Sequence, residues 1–355
     1  MAEEARLADA GRVAAAAQIA CLLEVMAPKP GNVSRGRDLP GLTYRDFVIS
    51  ATAIGEAFRR HAGGRVGRLI LEAVRATRRQ VETNTNLGII LLLAPLARAA
   101  ASGRGDLRSR LRGVLHRLDR RDARDAYRAI RLAEPGGLGR VRRQDVRRAP
   151  TASLLACMRL AAGRDAVARE YASGFETTFG VGLPCLRRLR DRHVPLPIAI
   201  GQTFLTILGR RPDTLIARRH GAGRARAVSR AAARVMKAGG LLSARGRRLA
   251  EFLDRRLRSA RPPLNPGASA DLTAAALFLW LIEQGGPEEA AHGVTALRRT
   301  RSPRPGSSPG RRAAPRPGRR GGRPPRSGPV RGRPPRGRRL PGPRNSARRR
   351  SRRIP

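Results

Sequence analysis

Apolar residues recur along most of this chain at the three-to-four spacing of helices, and nowhere in a sustained alternation of two. Residues 5–26 are rich in Ala and Leu, and the pattern stops at Pro28, where a missing N–H and a fixed φ end a helix. The stretch 28–43 concentrates Pro, Gly, Asn and Asp and reads as a long loop. The periodicity then predicts helices over 44–61, 65–80, 86–102, 107–118 and 122–132, and a loop, AEPGGLGR, at 133–140. Further helices are predicted over 151–162, 164–179, 197–209, 225–239, 246–258 and 269–284. The last carries its own signals: Ser269 to cap free N–H groups, Asp271 in the first turn, and Gly285, Gly286 and Pro287 beyond the end. The expectation is an all-α fold, a single large multi-helix domain over residues 1–290.

Two apolar runs, 87–97 and 272–282, stand out. Both fall well short of the roughly 20 residues a membrane helix needs, so they read as buried core helices. Trp280 belongs to that core. Tyr127 and Tyr171 lie in helical patterns and read as packing. The N-terminus has acids where a secretion signal would have bases, and no membrane partner is expected. Cys21, Cys157 and Cys185 are far apart, with no CxxC. A reduced, cytoplasmic setting fits.

Past residue 290 the composition changes. Residues 298–355 hold 22 arginines, 13 prolines and no acid, so they carry +22 of the formal +48, leaving 48 − 22 = +26 for residues 1–297. Such a segment buries too little apolar surface to offset its chain entropy, and 291–355 is expected to be a disordered Arg/Pro/Gly-rich tail. Three origins stay open. GC-rich DNA read out of frame yields this mixture, a basic tail can bind nucleic acid through phosphates, and the segment can serve as a tether. The basic body favours anionic partners such as nucleotides, although a GC-rich genome also enriches arginine.

Familiar sites are excluded one by one. Neither lysine, Lys29 or Lys237, is followed by Ser or Thr, so there is no Walker A loop. The five histidines show no HExxH or other close pairing, and no GxSxG elbow occurs. Four polar, glycine-bearing stretches remain beside apolar helices: PKPGNVSRGRD (28–38), ETNTNLG (82–88), PDTLIARRHG (212–221) and LNPGASAD (264–271). Each sits at or near a helix start, where free N–H groups favour phosphate. Asn, Thr and Ser there can hold sugar hydroxyls, and Asp can bind magnesium or take a proton. Each stretch taken alone is also what ordinary helix capping produces. Lys29 is one of only two lysines among 74 basic residues, and prolines flank it. A compact ammonium on a stiff loop suits a single phosphate oxygen better than a planar guanidinium does. Glu24 flanks the first loop and can reach the site from there, although a helix-terminal carboxylate is usually solvated.

Taken in order, the four stretches resemble the triphosphoribosyl-dephospho-CoA synthase family, in a divergent branch. The residues are Pro28-Lys29-Pro30-Gly31, Asn84-Thr85-Asn86-Leu87-Gly88, Asp213-Thr214 through Arg218, and Asn265-Pro266-Gly267 with Ser269-Ala270-Asp271-Leu272. PGGLG (135–139) with Asp145, and RDAVAREYASGF (164–175), add to the likeness, which spans roughly residues 12–284. The chain departs from better-known members in Asn32-Val33-Ser34, with Asp38 or Asp46 as the replacement carboxylate, and in Asn86-Leu87. The resemblance implies a transferase that joins ATP, with Mg2+, to 3′-dephospho-CoA, releases adenine and makes a prosthetic-group precursor. It places catalysis on Asp213, Asp271 and Lys29, with metal at Asp213 and Asp271. Substrate contacts would come from Asn32, Asn84, Thr85, Asn86, Arg218, Asn265 and Ser269. A related ribosyl transferase with another cofactor-precursor acceptor, or a nucleic-acid-binding protein acting through its tail, are the alternatives. On this reading Lys29→Met abolishes transfer and leaves thermal stability nearly unchanged.

Overall fold

The computed structural model describes residues 2–103 and 105–285, with side chains from Ala10 onward. The expected tail, 291–355, and the helix stops Gly286 and Pro287 lie outside the described residues. The described part is helical, and among the described residues the only β-type pairing is two isolated bridges in the loop after the first helix, Ser34 to Arg37 and Leu39 to Leu42. The all-α expectation holds.

The helices are α1 (Ala2–Met26), α2 (Tyr44–His61), α3 (Val66–Arg78), α4 (Leu87–Ala100), α5 (Leu107–His116), α6 (Arg120–Ala133), α7 (Leu154–Ala161) and α8 (Ala166–Ser173). They continue as α9 (Leu183–Asp191), α10 (Leu196–Arg210), α11 (Thr214–His220), α12 (Ala222–Lys237), α13 (Ala244–Ser259) and α14 (Gly267–Glu283). A π-turn at Thr178–Gly182 leads into α9, and a 3₁₀ turn at Gly240–Leu242 precedes α13.

Local chemistry explains the boundaries. Thr43 and Asp46 form a reciprocal capping box that starts α2, and Asp119 with Asp122 does the same for α6. The predicted helix 164–179 is broken. Gly174 and Phe175 take positive φ of 68° and 62°, and buried Glu170 collects the backbone N–H groups of Thr177 (3.1 Å) and Thr178 (2.8 Å) released at the break. Helices α9 and α11 were not predicted. The first begins at a Leu-Pro pair and is arginine-rich, and the second spans only seven residues between Pro212 and Gly221. The last helix starts at Gly267 rather than after Ser269, so Ser269 lies inside it and caps nothing, and Asp271 falls beyond its first turn.

Helix α14 runs through the centre, buried from Ala268 to Leu281 except for Asp271, and packs against α1, α4, α9 and α10. Helix α4 is equally apolar and carries Pro95 in its interior. A proline there cannot donate to the carbonyl four residues back, that of Leu91. The Tyr171 hydroxyl fills the gap, donating to Leu91 O at 2.6 Å. Helices α3 and α6 approach until their backbones nearly touch. A Cβ at Gly67 would lie 2.5 Å from Asp122 Cα, and Gly67 N donates to Asp122 Oδ1 at 2.9 Å. A second, smaller core is built on Phe204, Leu205, Leu208, Ile216, Val228 and Leu253, from α10 to α13. No described helix is long and apolar enough to cross a membrane.

Candidate functional site

Helix α1 ends at Met26, and the loop that follows folds back under it. Gly31 turns with φ 75°, and its N–H donates to Asp254 Oδ1 on α13 at 2.7 Å. Arg258, also on α13, reaches the carbonyls of Asn32 and Asp38. The loop is therefore held by α13, and Lys29 is turned inward. Its side chain is fully buried. Its three N–H donors go to the carbonyls of Glu24, Ala27 (3.1 Å) and Val33 (3.3 Å). Its ammonium lies 3.1 Å from Glu24 Oε1 in a buried ion pair. In this structure Lys29 does not line the cavity: it caps the open end of α1 and neutralises Glu24. The stability expectation reverses, because breaking a buried pair from one side costs on the order of 3–5 kcal/mol.

Asp213 is likewise committed. It caps α11, accepting from Leu215 N (2.9 Å) and Ile216 N (3.1 Å) on Oδ1. Its Oδ2 accepts from Ser269 N (2.8 Å) and Ser269 Oγ (2.9 Å). Both oxygens are filled, and the residue staples α11 to α14. Burial raises its pKa, against those donors. In this structure both Asp213 oxygens, and the Ser269 hydroxyl, are engaged within the fold, and neither residue lines the large cavity. Asn86 also turns away, donating to Ser50 O at 3.3 Å. Asp38 caps Tyr44 N (2.7 Å) and Asp46 sits in its capping box, so neither replaces a site carboxylate.

The remaining residues converge. A cavity of about 540 Å³ is lined by Asn32, Asn84, Thr85, Arg218, Asn265 and Asp271 together, within the usual size range of small-molecule sites. Asn32 Nδ2 donates to Asn265 Oδ1 at 2.8 Å, joining the first and last motifs. Asn84 Oδ1 accepts from Leu87 N at 3.3 Å, so the motif before α4 is its cap as well as a wall. Thr85 Oγ1 lies 2.5 Å from Ser50 Oγ. The opening turns of α4 and α14 face each other across Gly88: a Cβ there would sit 2.0 Å from Asp271 Oδ2. The glycine of the second motif exists to admit the aspartate of the fourth.

Asp271 receives no hydrogen bond among the described residues. Burial, and then the charges of Glu24, Asp213 and Asp165, push its pKa well above the usual carboxylate range, with Arg218 opposing. Arg218 pairs with Asp165, the cap of α8, yet its Nε is buried without a partner. Thr83 Oγ1 is orphaned in the same way, and both residues line this cavity, as does Glu24 with its Oε1 paired to Lys29. Buried polar groups are nearly always partnered; Ser34 Oγ, Arg110 Nε and Arg190 Nε are unpartnered away from this cavity, so the size of the space and the motifs that converge on it, more than the orphans, mark it as a ligand site.

Several lining residues escaped the sequence reading. Arg78, Arg143, Arg164 and Arg219 join Arg218 on the walls, and nothing distinguished them among so many arginines. Asp165 and the PGGLG loop were visible only through the resemblance. Glu24 is not solvated: it is 1% exposed, because the loop after α1 folds over it. Tyr127 packs as expected but also lines the cavity.

Comparison with known proteins follows the same lines. Residues 10–290 match the family model described as ATP:dephospho-CoA triphosphoribosyl transferase. A relative from Pseudomonas fluorescens Pf0-1, assigned as a 2-(5″-triphosphoribosyl)-3′-dephosphocoenzyme-A synthase, is 33% identical over 68% of this chain and 76% of its own length. A second, from Pseudomonas fluorescens Pf-5, is 37% identical over 33% of this chain, and the match spans only 40% of that relative. A solved structure from Archaeoglobus fulgidus, described as a triphosphoribosyl-dephospho-CoA synthase, superposes with a TM-score of 0.53 at 27% identity, covering 66% of this chain and 97% of its own.

Proposed function

Because the chain belongs to the ATP:dephospho-CoA triphosphoribosyl transferase family, we propose that its cavity joins ATP to 3′-dephospho-CoA. The acceptor hydroxyl attacks C1′ of the ATP ribose, adenine leaves, and the triphosphate stays on the transferred sugar. The product is a prosthetic-group precursor. The observation that carries this reading is the convergence of separate motifs on one cavity whose walls hold both arginines and an unpaired carboxylate, Asp271.

Each part of the reaction finds a matching group. A triphosphate needs cationic donors, and Arg143, Arg164, Arg218 and Arg219 in the cavity lining can supply them. Arg218 Nε–H has no partner among the described residues. Asn84, Thr85, Asn32 and Asn265 present amide and hydroxyl groups to sugar hydroxyls. Glycosidic cleavage develops positive charge at C1′, which an enclosed carboxylate stabilises far more than an exposed one.

Magnesium enters with ATP as substrate. Asp271 is crowded by other carboxylates and has no hydrogen-bond donor, so a divalent cation would relieve the repulsion there. Among the described residues no group of three or more His, Cys, Asp or Glu is placed to hold a metal. Phosphate oxygens and water would supply the other ligands, as is usual for magnesium. Asp165 stays committed to Arg218.

The test is incubation of the purified chain with ATP, magnesium and 3′-dephospho-CoA, scored by mass spectrometry. Adenine and the joined product are expected in equal amounts. Phosphate release without adenine would overturn the reading, and adenine release only with a different acceptor would replace the acceptor alone.

A further inference from the structure

Glu24 is the one acid buried in the wall of this cavity that the motifs did not single out. It lies on α1, below the loop that carries Lys29, and is 1% exposed while lining the cavity. Its Oε1 is paired with the Lys29 ammonium alone. Lys29 stands 3.1 Å away, but its N–H groups are spent on the backbone carbonyls of Glu24, Ala27 and Val33. The lysine therefore gives the carboxylate a fixed positive neighbour at Oε1 and leaves Oε2, which accepts no hydrogen bond among the described residues, as its open oxygen. A purely structural ion pair would close both sides, since an open buried lone pair costs stability. Gly31 bonded to Asp254, and Arg258 bonded to the loop carbonyls, hold the lysine in place from behind.

We propose that Glu24 touches substrate in this cavity as the base that takes the proton of the attacking hydroxyl, and that Lys29 is its positioning residue. The inference rests on the transfer reading above. In the step, the acceptor O–H bond breaks as the new C1′–O bond forms. The C1′–N9 bond breaks with its electron pair going to adenine. The proton passes to the Glu24 carboxylate and then, through solvent, to the departing adenine, which leaves neutral. Burial raises the pKa of Glu24 and Lys29 opposes it, the balance that brings a carboxylate base nearer neutral pH. Asp271 is left to face the magnesium and the sugar.

The experiment compares the full wild-type chain with Glu24→Gln in adenine release and in magnesium–ATP binding by calorimetry. The expected result is a fall in kcat of about 10²–10⁴-fold, with the ATP Kd within about threefold of wild type, as for a group acting in the transition state alone. A Glu24→Gln chain that turns over within about threefold of wild type overturns the assignment and leaves the transfer reading standing. A wild-type chain that releases no adenine overturns the transfer reading, and the role of Glu24 with it. If Glu24→Gln does not fold, Glu24→Asp keeps the negative charge and withdraws the carboxylate by one methylene. It is expected to lose at least about tenfold in kcat, and wild-type kcat would overturn the role. Lys29 is tested by Lys29→Gln, which retains N–H donors for the carbonyls. Losing the positive neighbour should move the acid limb of the kcat/KM profile to higher pH. A merely structural lysine would lower the profile without moving that limb, and that result would overturn its positioning role.

Discussion

Lys29, Asp213 and Ser269 show how one residue type serves two ends. Each is the sort of group that binds nucleotide, and each is used here to satisfy backbone or another side chain. Asp271 and Gly88 show the converse. Gly88 lacks a side chain because Asp271 Oδ2 occupies the space, 2.0 Å from where a Cβ would be. Gly88→Ala is therefore expected to displace Asp271 and lower adenine release by about 10²-fold, with helical content unchanged by circular dichroism. Asp271 also carries a cost. Its pKa is raised in the folded chain, so between the ordinary carboxylate pKa and that raised value the folded state holds a proton that the unfolded state has lost. Stability then falls as pH rises through that window. Asp271→Asn removes the dependence. In urea titrations the variant should match wild type near pH ~4 and exceed it toward pH ~8, at the expense of activity. A difference independent of pH would count against the burial of that charge.

At the scale of elements, the site depends on helices that break the rules of isolated helices. Helix α4 tolerates Pro95 because Tyr171 on α8 donates to the carbonyl that the proline strands. That bond ties α4, whose first turn lines the cavity, to α8, whose cap Asp165 pairs with Arg218. Tyr171→Phe should cost about 1–3 kcal/mol in urea unfolding, the price of an unpaired buried carbonyl. A loss below about 0.5 kcal/mol would mean that water replaces the hydroxyl. Helices α11 and α14 are joined by Asp213 and Ser269, and α11 contributes Leu215, Arg218 and Arg219 to the cavity wall.

At the scale of the molecule, the cavity residues among those described end at Asp271, and the family match ends at residue 290. Removal of residues 291–355 is expected to leave adenine release within about twofold of the full chain, since none of the groups assigned to chemistry is lost. Loss of release in the truncated chain would assign those residues a part in the reaction. The formal charge of +48 would fall by the +22 carried by residues 298–355, and any salt-dependent binding of nucleic acid should weaken with it.

The sequence alone determined that the described chain is helical, because helix periodicity and caps are local properties read within a few residues. It also marked the motifs that meet, since Asn84, Asn265 and Asp271 belong to short signatures that survive reading in one dimension. The tertiary structure decided what each group does. Whether an acid is a cap, a staple or an open carboxylate depends on donors that arrive from helices far along the chain, as Ser269 does to Asp213. Burial of Glu24 beneath its own loop, and the gathering of a few arginines from seventy-two, are likewise products of packing. Solvation and pairing are set by neighbours in space, and the order of residues does not specify those neighbours one motif at a time.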